Sequence, residues 1–163
     1  MQITRVETTP RSGDGLRDVR GDVVRRHLSA DHGIQLTDVR SIVGFLISSD
    51  ISPERISQRA DDLFADPIIE YSLTNQTFLQ SKDVFTELPD AVVSVGFKPG
   101  VTDNPGKAAL DGFRTIFPDA HQESDISTYI TYSFYGLDGQ TTPEFIAANL
   151  YNNLIERAEI STA

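Results

Sequence analysis

The second half of this chain rereads its first half, and that internal likeness limits the folds open to it more than any other feature. Residues 36–47, LTDVRSIVGFLI, and residues 123–134, ESDISTYITYSF, are both β-rich runs with an Asp near the start. Offset by 87, Val39 meets Ile126, Ile42 meets Tyr129, Phe45 meets Tyr132 and Ile47 meets Phe134. Each run leads to a helix start spelled the same way, Ser52-Pro53-Glu54 and Thr142-Pro143-Glu144, 90 residues apart. Ser or Thr at the cap accepts a bond from an orphan amide, Pro at the first helical position loses nothing, and Glu complements the helix dipole. Ile56 and Ile146, Ala60 and Leu150, and Phe64 and Leu154 keep the offset of 90, four residues apart along one helix face.

Ahead of each long strand the sequence predicts a short strand (about 2–8 and 91–97), a Gly-containing loop and a helix (about 18–30 and 105–116). The loops are Thr9-Pro10-Arg11-Ser12-Gly13-Asp14-Gly15 and the segment from Lys98 to Gly106, and Asp18-x-x-Gly21 answers Asp103-x-x-Gly106. Offsets drift from 85 to 90 between elements, where insertions cost little loop entropy. The predicted fold is α+β: two β-α-β-α units, 1–73 and 91–163, joined by a linker over 74–90 that docks through Phe78, Leu79 and Phe85. Each unit is expected to make a small antiparallel sheet with helices on one face, and the two to pack as a pseudo-dimer.

Charge narrows the partners. With 24 acidic and 14 basic side chains the net charge is −10, which repels phosphate backbones and anionic head groups, so neither nucleic acid nor a membrane surface is expected as a partner. No Cys is present, which leaves this chain without thiolate chemistry or disulfides. His27, His32 and His121 do not form a metal-ligand pattern, so no metal site is expected. The N-terminal MQITRVETTP has no basic and apolar leader pattern, and no run approaches the ~20 apolar residues of a bilayer span, so a soluble cytoplasmic protein is expected.

The densest stretch is Phe97-Lys98-Pro99-Gly100-Val101-Thr102-Asp103-Asn104-Pro105-Gly106-Lys107. Pro99-Gly100 marks a tight turn leaving a strand, Asp103 or Asn104 can cap the next helix, and Pro105 suits its first turn. Lys98 and Lys107 beside a helix N-terminus would favour an anion, yet no Walker-type pattern is present, since Ala108 follows Gly106-Lys107. Loop architecture is the stronger reading. Asp14, Asp18, Asp61 and Asp62 read as loop and solvated-face residues, and no nucleophile-elbow or triad order is present. Tyr129, Tyr132, Phe134 and Tyr135 are expected in core and interface roles.

Lys98-Pro99-Gly100-Val101-x-Asp103-x-x-Gly106-Lys107, leaving a strand and opening a helix, resembles the PurS-type small subunit of phosphoribosylformylglycinamidine synthase. That family runs from K-P-G-V-x-D-x-x-G-[KR] through a helix, a long strand and a second helix to L-x-A-[DN]-P-[VI]-[IV]-E and a final strand. Leu63-Phe64-Ala65-Asp66-Pro67-Ile68-Ile69-Glu70 is similar to the closing motif. By this reading each half has lost one mark: Pro10-Arg11-Ser12 replaces Pro-Gly-Val, and residues from Ile155 to Ile160 replace the Ala-Asp-Pro ending.

The resemblance covers nearly all of the chain outside the linker. It implies a tandem fusion of two units, like the N-terminal domain of the long single-chain synthases. The implied role is a non-catalytic structural part of the synthase in de novo purine biosynthesis, bridging the ATP-dependent synthase and the glutaminase and supporting ammonia transfer. ATP and Mg would then sit on the partner, with no cofactor in this chain, and the tandem chain could also pair with itself. The implied interface residues are those of the loop (Lys98, Pro99, Gly100, Val101, Thr102, Asp103, Asn104, Gly106, Lys107) and the turn (Ala65, Asp66, Pro67), with Phe97, Phe78 and Phe85 as apolar anchors. Replacing Val101 or Asp103 is expected to weaken assembly with the fold intact. The alternative is a regulatory small-ligand module of the ACT or ferredoxin-like kind, compatible with both Gly-bearing loops but not with the Ala65-Asp66-Pro67 turn. An acylphosphatase-like enzyme would need an Arg and an Asn on one phosphate loop, whereas Arg11 and Asn104 lie in different halves.

Overall fold

Two long strands meet at the centre of the molecule. In the computed structural model, which describes residues 1–162, the elements run β1 (Gln2–Pro10), α1 (Val19–His32), β2 (Asp38–Ser49), α2 (Pro53–Gln58), α3 (Ala60–Leu63) and β3 (Glu70–Thr74). They continue as β4 (Ala91–Phe97), α4 (Asn104–Ile116), β5 (Asp125–Tyr135), α5 (Pro143–Ala148) and β6 (Glu156–Thr162). The fold is α+β, with one open antiparallel sheet in the order β3-β1-β2-β5-β4-β6 and five α-helices. Where two sheets packed on each other were expected, β2 and β5 instead pair directly, from Asp38 opposite Tyr135 to Ser48 opposite Asp125. Each long strand uses one edge for its own half, β1 on β2 and β4 on β5, which leaves the other edge as a row of unpaired amides and carbonyls. Pairing the two rows satisfies both.

Side-chain alternation divides the sheet. Val39 and Ile47 of β2 and Ile126 and Phe134 of β5 turn to the helices, while Ile42 and Tyr135 turn away from them. The helix-side core is crossed. Leu28 of α1 packs with Ala91, Val93, Val95, Phe134 and Ile146 of the other half, and Phe113 and Phe117 of α4 pack with Val6, Ile47, Ile56 and Phe64. Arg55 of α2 reinforces the second crossing: its guanidinium donates to both carboxylate oxygens of Asp119 at 2.8 and 3.2 Å, beyond the end of α4.

The Asp-x-x-Gly spelling has a mechanical cause. Asp18 caps α1 by accepting from the Gly21 amide at 2.7 Å, and the same carboxylate accepts from the amide and hydroxyl of Ser41 on β2 at 2.5 and 2.9 Å. Asp103 caps α4 through the Gly106 amide at 2.7 Å and takes the amide and hydroxyl of Thr128 on β5 at 2.6 and 3.0 Å. The glycines permit this approach, because a Cβ on Gly21 would stand 1.9 Å from the Val39 carbonyl oxygen and one on Gly106 2.3 Å from that of Ile126. Asp103 is therefore a fold residue, and the expectation that its replacement leaves the fold intact is withdrawn. The Ser52 and Thr142 caps form as predicted, accepting from Arg55 and Phe145 amides.

Between Thr74 and Ala91 the chain crosses the face away from the helices. Phe78, in a short 3₁₀ turn, and Phe85 are buried there with Ile42. Both were expected as anchors for a partner; they are spent on this chain's own sheet. Arg40 holds the far stretch by donating to the Val84 carbonyl and lying over the Phe85 ring.

Replacing Asp18 or Asp103 with Ala removes a cap and leaves a strand amide without its acceptor. Each change is predicted to lower unfolding free energy by about 2–4 kcal/mol in urea titrations. A loss below about 1 kcal/mol would mean that the clamp is not what seats the helix.

Candidate functional site

The motif residues lie at two separate places. Lys98, Pro99, Gly100, Val101 and Thr102 form the β4–α4 loop, with Gly100 at φ +83° where glycine is favoured. Asp103, Asn104, Gly106 and Lys107 open α4, the first clamping the strand and the last exposed. Ala65, Asp66 and Pro67 form the turn before β3, at the opposite edge of the sheet from β6. The loop and that turn do not meet.

Each loop instead touches the closing turn of its own half. The Arg11 amide donates to the Ile69 carbonyl at 2.7 Å, and the Lys98 amide donates to the Ile155 carbonyl at 2.9 Å. In the first closing turn the Asp66 amide donates to the Glu70 carboxylate at 2.8 Å and the Ile68 amide to the Asp66 side chain at 3.0 Å. Asn152, Glu156 and Leu154 make the same pair of bonds at the same distances, 86 residues on. The second half therefore keeps the closing turn, as Asn152-Asn153-Leu154-Ile155-Glu156, and the expectation that it had lost this mark is corrected. The offset falls from 90 to 86 because α3, four residues long, has no counterpart after α5. Leu150, half-buried against the core, then answers Phe64, and Leu154 answers Ile68: these two are 81% and 78% exposed.

A cleft of about 780 Å³ opens at the β4 end of the face away from the helices. Its lining includes Lys98, Gly100, Val101 and Lys107 of the motif loop, together with Arg5, Glu7, Tyr129 and Arg157, which the motifs did not indicate. Glu7 is 4% exposed, and its two carboxylate oxygens accept from the Tyr129 hydroxyl at 2.8 Å and the Phe78 amide at 2.9 Å. Tyr129 reaches it by lying across Gly44, where a Cβ would fall 2.0 Å from the ring. The signal in the sequence was Gly44 itself, a lone glycine inside a strand run, which marks a close approach.

Among the described residues no group of three or more His, Asp or Glu is placed to hold a metal ion. None of the described helices is long and apolar enough to cross a membrane. No protein-family model matches the chain, and no curated protein matches it.

Burial, then the charge of Glu7 and the hydrogen bond to it, push the Tyr129 phenol far above its ordinary value of about 10. The folded chain thus keeps a proton that the unfolded chain releases above that pH. The stabilisation is complete below pH about 10 and is lost as pH rises beyond it. Y129F is predicted to be about 1–3 kcal/mol less stable at pH 7, and the gap to wild type to close in urea titrations run above pH 10. A constant gap would show that the phenol proton is not involved.

Proposed function

We propose that this chain is a non-catalytic structural subunit or domain of phosphoribosylformylglycinamidine synthase, built as a tandem of two PurS-like units that form a pseudo-dimer within one chain. It bridges the ATP-dependent synthase and the glutaminase in the cytoplasm and helps to close the path that ammonia takes between them. ATP and Mg belong to the synthase partner. The observation that carries the reading is the recurrence of the closing turn, with its Asp66 or Asn152 and its Glu70 or Glu156, in both halves and against the equivalent loop.

The same turns supply what a scaffold needs. Ile68 and Ile69 at one edge of the sheet, and Leu154 and Ile155 at the other, are large aliphatic side chains left in water by this chain alone. Such side chains, ringed by the polar Asp66, Asn152 and Asn153, have the composition of interface anchors. The crossed cores fit a scaffold too, because they hold the two turns at a fixed separation.

Retrieval with the tagged chain from source-cell extract, supplied with glutamine and ADP, is expected to recover a large synthase chain. I68D and L154D, which alter only exposed side chains, are predicted to reduce that recovery at least tenfold, while V101D tests the loop. Failure to recover a synthase, or full recovery by both turn variants, would overturn the proposal.

A further inference from the structure

A second feature, independent of the synthase reading, lies on the floor of the cleft. Strand register sets a row of residues across the face away from the helices: Arg157 opposite Gly96, Gly96 opposite Tyr129, Tyr129 opposite Gly44, and Gly44 opposite Glu7. Tyr129 leans over Gly44 and is held there by Glu7, so it turns away from Gly96. A Cβ on Gly96 would meet nothing nearer than 3.6 Å. The backbone of Gly96 is thus the floor of a trough walled by Tyr129 on one side and Arg157 on the other, two strands or roughly 10 Å apart. That width admits one aromatic ring.

The lining, which mixes polar groups with Leu46, Leu79, Phe97 and Val101, suits a small ligand that has both an apolar and a polar part. Ser94, Ser127, Thr131, Arg157 and Glu159 surround the trough, and the large exposed hydrophobic side chains all lie elsewhere. Arg5, Lys107 and Arg157 form no salt bridge among the described residues, while Glu7 and Asp103, the carboxylates deepest in the cleft, are occupied by donors from this chain. Four basic side chains (Arg5, Lys98, Lys107, Arg157) and four acidic ones (Glu7, Asp103, Asp125, Glu159) line this cleft, and it is the occupation of Glu7 and Asp103 by donors of this chain that leaves Arg157 available beside the trough. One row further on, Ser94 and Thr131 share a hydrogen bond at 2.7 Å, and Glu159 stands opposite Ser94. These groups offer both donors and acceptors to the edge of a bound ring.

We propose that the Gly96 trough is a binding site for a small molecule with one flat ring and one anionic group, a phosphate ester or a carboxylate. The ring rests on Gly96 against Tyr129, and the anion is held by Arg157. Ser94 and Thr131 contact the ring's polar edge.

The test is an amide NMR titration of the full chain with phenyl phosphate and with benzoate, using inorganic phosphate and phenol as controls. Shifts are expected at Ser94, Gly96, Tyr129 and Arg157, with one of the two ring anions binding at least tenfold tighter than either control; whichever is tighter identifies the anion. G96V, whose side chain has room and suits a strand, should fill the trough and abolish binding with an unchanged thermal melt, and R157Q should weaken binding about tenfold. Absence of shifts at about 10 mM ligand would overturn the proposal. So would equal binding of inorganic phosphate with no effect of G96V, the behaviour of a basic surface alone.

Discussion

A carboxylate at the start of each long helix holds this structure together. Asp18 and Asp103 each bind two elements at once: the first turn of a helix and the fourth residue of the long strand beneath it. The glycine three residues on removes the only atom that would keep helix and strand apart. Helix position is thus fixed by direct backbone contact rather than by side chains that could repack. Everything laid over the sheet inherits its register from these two contacts, including the crossed cores and the exposed loops beyond the helix starts.

From those seats the helices send side chains across to the other half's strands. Leu28 and Phe113, both with no exposure, join cores that combine a strand residue of their own half, Val39 or Ile126, with strands from across the β2–β5 junction. The two halves therefore share their apolar interior, and the strand pairing and the crossed helices support the same arrangement. The opposite face is not shared equally. The segment between β3 and β4 covers Ile42 with Phe78 and Phe85, whereas Tyr129, 87 residues on from Ile42, borders an open cleft. One polypeptide connection makes two similar halves chemically different.

How far the sequence reveals this depends on the range of each interaction. Element order, the Ser52 and Thr142 caps and the Asp-x-x-Gly starts are local, and they are legible because a cap or a tight approach leaves its mark within four residues. The pairing of β2 with β5 is not local, since Asp38 meets Tyr135 across most of the chain and nothing in either strand names its partner. The second closing turn escapes because α3 inserts four residues just before the motif, so an offset held at 90 compares the wrong positions. Loop residues 98–107 are visible as a motif, but their neighbours Glu7, Tyr129 and Arg157 come from three other strands and converge only in the fold.

Each half's core is completed by the helix of the other, and neither half is then expected to fold alone. Fragments 1–81 and 82–163, produced separately, test it directly by thermal melting followed through near-UV circular dichroism. Neither fragment should melt cooperatively as a monomer, and an equimolar mixture should recover the signal and melt of the intact chain. A cooperative melt of either fragment as an isolated monomer would contradict the crossed core.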